Sequence, residues 1–246
     1  MGLLGTCATF ATDELHECMM RVLVYLGRTP EVGATYTNVG PHAATLRAYA
    51  DSNWAETRST TGYTIQLANA TIASTSKRQH CISMSSCEAE LIALADLAIE
   101  LIHIRGVCEF IGLKIDGPVE VSTDNKAAYD LCHRFSSAQN SRHIDRKLFK
   151  MRELRGLGLV DVKHVGTADN PADLFTKILS RQPFEKHRAT VLNLPASAAV
   201  DRSRRSSRLS SAAGAAVVPG ARRGRFLVSP AQPPVPRHVS FVADGT

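Results

Sequence analysis

The sequence predicts an α/β protein with a mixed five-stranded sheet and helices on both faces, followed by a disordered C-terminal tail. Five short strand patterns and one long helical pattern between the third and fourth strands support this prediction. Shorter helical patterns surround the fifth strand. The predicted order is therefore β-β-β-α-β-α-α-β-α, and such a mixture packs helices against the faces of a mixed sheet.

The first 44 residues precede this pattern. Apolar side chains recur at helical spacing over residues 14–28, and Gly27 and Pro30 are typical of the end of a helix. Residues 31–44 are expected to form a short extended piece and a linker.

Three strands are expected next, over residues 46–51, 62–67 and 71–76, with a hairpin turn at Asn69-Ala70. A long helix follows over residues 86–104. Ser85 and Glu88 have the spacing of a capping box, which predicts where this helix begins.

The remaining elements alternate between sheet and helix. A strand is expected over residues 119–123 and another over residues 158–165. The predicted helices cover residues 124–132, 141–155 and 170–179. Pro171 would stand at the first position of the last helix, where its missing N–H is harmless.

The basic charge of the chain is confined to its C-terminal end. Residues 196–246 hold eight arginines and two aspartates, whereas residues 1–195 have no net charge. The predicted folded part is therefore not a uniformly basic nucleic-acid-binding protein. The tail is rich in Ala, Arg, Ser, Pro and Gly and is expected to be disordered. It is either a basic tail that contacts nucleic acid or an unselected extension.

The lengths of the apolar runs and the spacing of the cysteines indicate where in the cell the protein is expected. No run of 18 apolar residues occurs, so no membrane span is expected. The six cysteines are scattered without a CxxC pair, which favours a reducing, intracellular location in the cytoplasm or nucleus.

Four carboxylates stand at the junctions of predicted elements. Asp51 closes the first strand, Glu90 lies in the first turns of the long helix, Asp124 ends the fourth strand and Asp173 begins the last helix. Oxygen ligands from separate elements are what Mg²⁺ prefers, and two such ions can assist phosphodiester hydrolysis. The spacing thus predicts a metal site if the carboxylates converge.

Five groups of motifs surround these carboxylates in order along the chain: YADSNWAE with RSTTGYTIQL, SKRQHCISMSSCEAELIAL, STDNKAA, SRHIDRKLFKMREL and ADNPADLFTK. Together they resemble the ribonuclease H domain of copia-type LTR retrotransposon Pol polyproteins. They follow the family's order within residues 45–180. Upstream, His16–Tyr36 resembles the segment that joins reverse transcriptase to ribonuclease H.

The resemblance implies three regions and one reaction. Residues 1–44 would be a remnant of the reverse transcriptase connection, residues 45–180 a ribonuclease H-like domain, and residues 181–246 a mostly disordered extension. The implied reaction is endonucleolytic cleavage of the RNA strand of an RNA–DNA hybrid with two Mg²⁺ ions, for which Mn²⁺ can substitute. A reverse transcriptase domain or chain is an implied partner.

The resemblance also implies that Asp51, Glu90, Asp124 and Asp173 bind the metal. Glu88 competes with Glu90, but the capping box engages Glu88 and the family's AEL triplet favours Glu90. Asp145 is the alternative to Asp173.

Further residues are expected to act on the substrate. His164, at the end of the last strand, is a candidate for proton transfer to the leaving group. Trp54 and Asn53 are candidates for lining the minor groove of the hybrid, and packing in the core is the favoured alternative for Trp54. The candidates for binding the hybrid are Asn53, Asn125, His143, Arg146, Lys147 and Lys150.

Two functions compete at this point. The first is an active hybrid-directed nuclease. The second is a catalytically silent retrotransposon remnant that serves as a nucleic-acid-binding or interaction module, because fold resemblance alone does not give activity.

Overall fold

The computed structural model describes residues 4–5, 12–37, 45–115, 117–133 and 142–195, with the side chains of the last range described from Arg146 onward. The described residues all belong to one compact unit. Its first described helix is α1, Asp13–Arg28, close to the predicted range. Thr12 caps α1, since its hydroxyl accepts a hydrogen bond from the backbone N–H of Leu15.

The predicted mixed five-stranded sheet is confirmed. Its strands are β1 (Leu46–Asn53), β2 (Thr60–Leu67), β3 (Ala70–Arg78), β4 (Val119–Thr123) and β5 (Val160–His164). They lie in the order β3-β2-β1-β4-β5. The first three strands are antiparallel neighbours, while β4 is parallel to β1 and to β5. Because β1 and β4 are parallel neighbours, their carboxyl ends lie at the same edge of the sheet.

The β2–β3 hairpin turns at Ala68 and Asn69, one residue before the predicted turn. Both residues have positive φ, at 52° and 69°, as the tight turns of two-residue hairpins require. The long helix α2 covers Ser86–Phe110 and begins where the capping box predicts, with Ser85 as its N-cap.

Two shorter helices follow, α3 (Lys126–His133) and α4 (Arg142–Gly156). The core lies between the sheet and α2, α3 and α4. It is built from Ile65 and Tyr63 of β2, the apolar face of α2, and residues such as Val121, Met151 and Leu154. Burial of this apolar surface is the main term that stabilises the fold.

The C-terminal part of the fold differs from the prediction over residues 170–179, and it contains one helix beyond the predicted elements. A helix over residues 170–179 is not observed, because two short 3₁₀ turns, Thr167–Asp169 and Pro171–Phe175, take its place. A further helix, α5, covers Arg181–Leu192, within the range expected to be mostly disordered. Pro183 stands in the first turn of α5, where proline is tolerated. The tail from residue 196 lies outside the described residues.

Helix α5 and the second 3₁₀ turn cover the face of the sheet opposite to α2. The Gln66 side chain of β2 donates a hydrogen bond to the Thr190 carbonyl of α5 at 3.0 Å, and His187 of α5 is buried. The predicted arrangement with helices on both faces is therefore confirmed.

The N-terminal segment contacts the same region. The backbone N–H of Thr35 donates to the Leu192 carbonyl at 2.9 Å, and the Tyr36 hydroxyl donates to the Thr71 carbonyl at 2.9 Å. The ring of Tyr25 in α1 packs edge-on against Phe184. The described part of residues 1–44 thus folds against α5 and β3.

Among the described residues, no helix is both long and apolar enough to cross a membrane.

Candidate metal centre

The first carboxylate, Asp51, lies in β1 and is 1% exposed. Alternation along β1 directs it to the face opposite the α2 core, and Gly62 of β2 is its partner in the antiparallel register. This places an acidic group where the sheet meets the second 3₁₀ turn.

The second carboxylate, Glu90, projects from the first turns of α2 toward the same edge. Its Oε1 accepts hydrogen bonds from the backbone N–H and the hydroxyl of Ser52, at 3.0 and 2.9 Å. Its Oε2 accepts a 3.4 Å hydrogen bond from the Thr123 hydroxyl at the end of β4. Two strands therefore fix the orientation of the Glu90 side chain.

Glu88, the competitor of Glu90, is engaged elsewhere. Its backbone N–H donates to the Ser85 hydroxyl at 3.2 Å, and its Oε2 accepts from the backbone N–H of Met84 at 2.7 Å. The carboxylate reaches Met84 instead of the Ser85 N–H of the usual capping box. Glu88 thus closes the start of α2.

Asp124 follows β4 directly and is half-buried. One oxygen each of Asp51, Glu90 and Asp124 lie within 4.8 Å of one another. The three carboxylates come from β1, from α2 and from the end of β4. Such convergence of like charges is unfavourable in the absence of a cation.

Asp173, the fourth predicted ligand, lies in the second 3₁₀ turn and reaches the cluster through Lys177. The Lys177 ammonium contacts Asp173 Oδ1 at 2.8 Å and Asp51 Oδ1 at 3.1 Å. The Thr176 hydroxyl donates a short hydrogen bond to Asp51 Oδ2. The 3₁₀ turn and the two residues after it therefore add one carboxylate, one hydroxyl and one ammonium group to the edge.

Sequence reasoning missed the residues that hold this turn in place. Asn170 is fully buried, and its amide donates to the Ala50 carbonyl at 2.9 Å while its oxygen caps the turn at Ala172. A Cβ atom on Gly62 would lie 2.5 Å from Thr176 Cγ2. A glycine inside a strand pattern is a signal of close approach, and it could have indicated this contact.

Burial and mutual repulsion shift the pKa values of the cluster. Burial, followed by the nearby charge of Asp51, raises the pKa of Glu90 to about 8. Burial likewise raises the pKa of Asp51 and of Asp173, although the hydrogen bonds from Thr176 and Lys177 oppose it. A multivalent cation would remove this penalty on the charged carboxylates.

The donor set fits a hard divalent cation. All three clustered groups offer carboxylate oxygens, and no thiol or imidazole contributes to the cluster among the residues that the structure describes. Mg²⁺ and Mn²⁺ are bound by such oxygen donors together with water.

Three other predicted site residues lie near the carboxylate cluster but do not belong to it. His164 is exposed at the end of β5, where its Nε2 lies 3.2 Å from the Asp124 carbonyl oxygen. The Asn125 oxygen caps α3 by accepting from the backbone N–H of Ala128 at 3.0 Å. Asn53 is exposed at the end of β1.

The basic residues of α4 lie at or near the surface. Arg146 is exposed, Lys147 lines a cavity of 490 Å³ next to Met84 and Glu88, and Lys150 forms an exposed ion pair with Glu153. The side chains of His143 and Asp145 lie outside the described residues, so Asp145 stays an untested alternative.

The prediction that Trp54 packs in the core is wrong. Its side chain is 50% exposed, because its indole N–H donates to the Ser83 carbonyl at 3.0 Å and holds the ring on the surface. Met84, which follows Ser83, is 85% exposed. Trp54, in the loop between β1 and β2, and Met84, in the loop before α2, therefore expose two large apolar side chains.

Comparison with known proteins finds relatives among retrotransposon proteins. The chain is 33% identical over 178 residues to the retrovirus-related Pol polyprotein from transposon RE2 of Arabidopsis thaliana, covering 71% of this chain and 12% of that polyprotein. It is 31% identical over 144 residues to the corresponding polyprotein from transposon TNT 1-94 of Nicotiana tabacum, covering 57% and 11%. The chain thus spans about an eighth of the length of these relatives. No protein-family model matches it.

Among solved structures, LC11-RNase H1 in complex with RNA/DNA hybrid aligns with a TM-score of 0.41 and 17% identity. The alignment covers 53% of this chain and 93% of that one.

A mixed sheet in the order β3-β2-β1-β4-β5, with three carboxylates converging at the ends of β1 and β4, defines the class of ribonuclease H-like domains. The predicted resemblance is confirmed at the level of the family as well. The relatives that the chain matches are copia-type retrotransposon Pol polyproteins.

Proposed function

We propose that the chain is a metal-dependent endonuclease that hydrolyses the RNA strand of RNA–DNA hybrids during retrotransposon reverse transcription. The observation that carries the proposal is the convergence of Asp51, Glu90 and Asp124 from three elements to within 4.8 Å. Structural carboxylates are seldom gathered this closely, since their repulsion destabilises the fold. Similarity to these Pol polyproteins supports the choice of the hybrid as substrate.

The clustered carboxylates, with Asp173, are the ligands proposed for two Mg²⁺ ions, and Mn²⁺ can replace them. When bound, such ions supply an activated water and stabilise the leaving oxygen of the phosphodiester. Glu90 is held for this role by the two hydrogen bonds from Ser52, so its carboxylate needs no reorientation. Preorganised ligands are what a precise metal site requires.

The hybrid is proposed to lie across the carboxylate edge and α4. Arg146, Lys147 and Lys150, with His143, would contact backbone phosphates, and such contacts position a duplex without reading its sequence. Asn53, Asn125 and the exposed ring of Trp54 flank the edge and would contact the sugars and bases of the hybrid. Contacts with the 2′-hydroxyl of the sugar would allow these residues to distinguish RNA from DNA.

His164 is proposed to move the proton to the leaving group. The hydrogen bond that joins its Nε2 to the Asp124 carbonyl keeps the ring beside the cluster. Its exposure at the end of β5 leaves the imidazole in contact with solvent, with which it can exchange protons.

The proposal is tested with the purified chain and an RNA–DNA hybrid labelled on either strand, in Mg²⁺ and in Mn²⁺. Wild type is expected to cleave only the RNA strand, and only with metal. Asp124→Asn is expected to abolish cleavage. Asp161→Asn is the matched control, because Asp161 lies on β5 and pairs with Lys163 away from the cluster.

The catalytically silent module is the second candidate. Folded wild-type protein that binds the hybrid but leaves both strands intact in either metal would favour it. In both cases a reverse transcriptase domain or chain is the proposed partner, since the relatives are Pol polyproteins much longer than this chain.

A further inference from the structure

Lys177 is the cationic side chain placed inside the carboxylate edge. Its ammonium group lies 2.8 Å from Asp173 and 3.1 Å from Asp51, and its side chain is 32% exposed. Asp51 belongs to the three-carboxylate cluster, so the lysine contacts a group that is also a proposed metal ligand. The same carboxylate oxygens cannot serve both cations fully at once.

The position of Lys177 is fixed by the chain around it. Asp173 and Lys177 are four residues apart, and the Lys177 backbone N–H donates to the Asp173 carbonyl at 2.9 Å. The turn that carries both residues is fastened to β1 by Asn170 and packs closely on Gly62. These contacts hold the ammonium at the edge.

We propose that Lys177 is a built-in counter-ion that stabilises the carboxylate edge in the metal-free protein and competes with divalent cations for Asp51 and Asp173. This inference rests on the proposed function, because it assumes that the same edge binds metal. Lys177 carries a positive charge in the free site, so each cation that binds must displace the ammonium or tolerate its repulsion. Metal affinity is thereby lowered and the metal-free fold is stabilised.

Burial opposes the charge on Lys177, but the hydrogen bond to Asp173 and the charge of Asp51 outweigh it, so the pKa of Lys177 lies above its ordinary value.

The test compares wild type, Lys177→Met and Lys163→Met by thermal unfolding in EDTA and by calorimetric titration with Mn²⁺, without nucleic acid. Lys163 is a matched control, because it forms an exposed ion pair with Asp161 on β5. Lys177→Met is expected to melt at a lower temperature in EDTA, to gain more stability from Mn²⁺, and to bind Mn²⁺ about tenfold more tightly. Lys177→Arg is expected to resemble wild type, since it keeps the charge.

Equal or weaker Mn²⁺ binding by Lys177→Met would overturn the proposal. If Lys177→Met is unfolded in EDTA, recovery of the fold by Mn²⁺ supports it, and failure to recover at saturating Mn²⁺ overturns it. Wild type that binds no Mn²⁺ at all would overturn the proposed function as well. Wild type that binds Mn²⁺ with the same affinity as Lys177→Met would overturn only the role of Lys177.

Discussion

At the scale of single residues, the candidate metal centre depends on the absence of a side chain at Gly62 as well as on its carboxylates. Gly62 lies opposite Asp51 in the sheet, and the turn that carries Asp173 and Lys177 rests on it. A Cβ at this position would lie 2.5 Å from Thr176 Cγ2 and 2.9 Å from Phe175 Cβ. The lack of a side chain at Gly62 therefore lets the turn approach the cluster.

Gly62→Ala is expected to lower the free energy of unfolding by about 1–3 kcal/mol, as overpacking of a tight contact does. It should also weaken Mn²⁺ binding, because the turn with Asp173 is pushed away from Asp51. Urea unfolding and calorimetric titration measure the two effects. Gly106→Ala is the control, since its Cβ meets nothing within 4 Å and alanine favours a helix by about 1 kcal/mol. Equal stability of Gly62→Ala and wild type would contradict the close packing.

At the scale of elements, α5 is the helix that sequence reasoning missed, and it covers one face of the sheet. Its His187 is 2% exposed, and burial lowers the pKa of this imidazole below its ordinary value of 6.5. The folded protein therefore binds fewer protons at this site than the unfolded chain does. The stability of the folded protein must therefore rise with pH between the lowered pKa of His187 and the ordinary value of 6.5.

The contribution of His187 to the free energy of unfolding is thus expected to have its full value above about pH 6.5. It should decrease as the pH falls toward the lowered pKa of His187. Urea unfolding at several pH values between about 5 and 7.5 measures this dependence. His187→Gln should flatten it, because glutamine does not titrate, whereas His80→Gln at an exposed position should not. An unchanged slope in His187→Gln would show that other groups cause the dependence.

The elements also show what could be predicted from the sequence. Asp51, Glu90 and Asp124 were identified because each stands at the end of a strand or the start of a helix, and those boundaries follow from local periodicity and from the cap at Ser85. The roles of Asn170 and Lys177 could not be identified in this way. Their partners lie about 120 residues away in sequence, at Ala50 and Asp51.

The error over residues 170–179 has a related cause. Asn170 and Pro171 are typical of a helix start, and the turn does begin there. It ends after Phe175 because Thr176 and Lys177 turn toward Asp51, a tertiary interaction that overrides local propensity.

At the scale of the whole molecule, α1 is the least covered element. It has no buried residue, and its exposed apolar side chains include Met19, Leu23 and Leu26, each more than 50% exposed. Tyr25 is the residue of α1 that packs against Phe184. A continuous apolar stripe of this kind is a surface for association.

The isolated chain is therefore expected to associate as its concentration rises, which sedimentation velocity measures. Met19→Gln with Leu23→Gln should reduce association, because it interrupts the stripe without changing net charge. Phe110→Gln, at a 91% exposed position outside α1, is the control and should have less effect. A monodisperse wild-type monomer at high concentration would contradict this expectation.

In the proposed function, the convergent carboxylates, and not merely acidic residues near them, perform metal-dependent hydrolysis of RNA in a hybrid. Glu88 and Glu90 offer a direct test, because they are two residues apart on α2 and both are buried, while only Glu90 belongs to the cluster. The measurement is the single-turnover rate of hybrid cleavage by Glu90→Gln and Glu88→Gln in Mg²⁺. Glu90→Gln is expected to lose more than about a hundredfold in rate. Glu88→Gln is expected to cleave like wild type, since glutamine also fits the cap. Equal losses in both variants, or none in Glu90→Gln, would contradict the account.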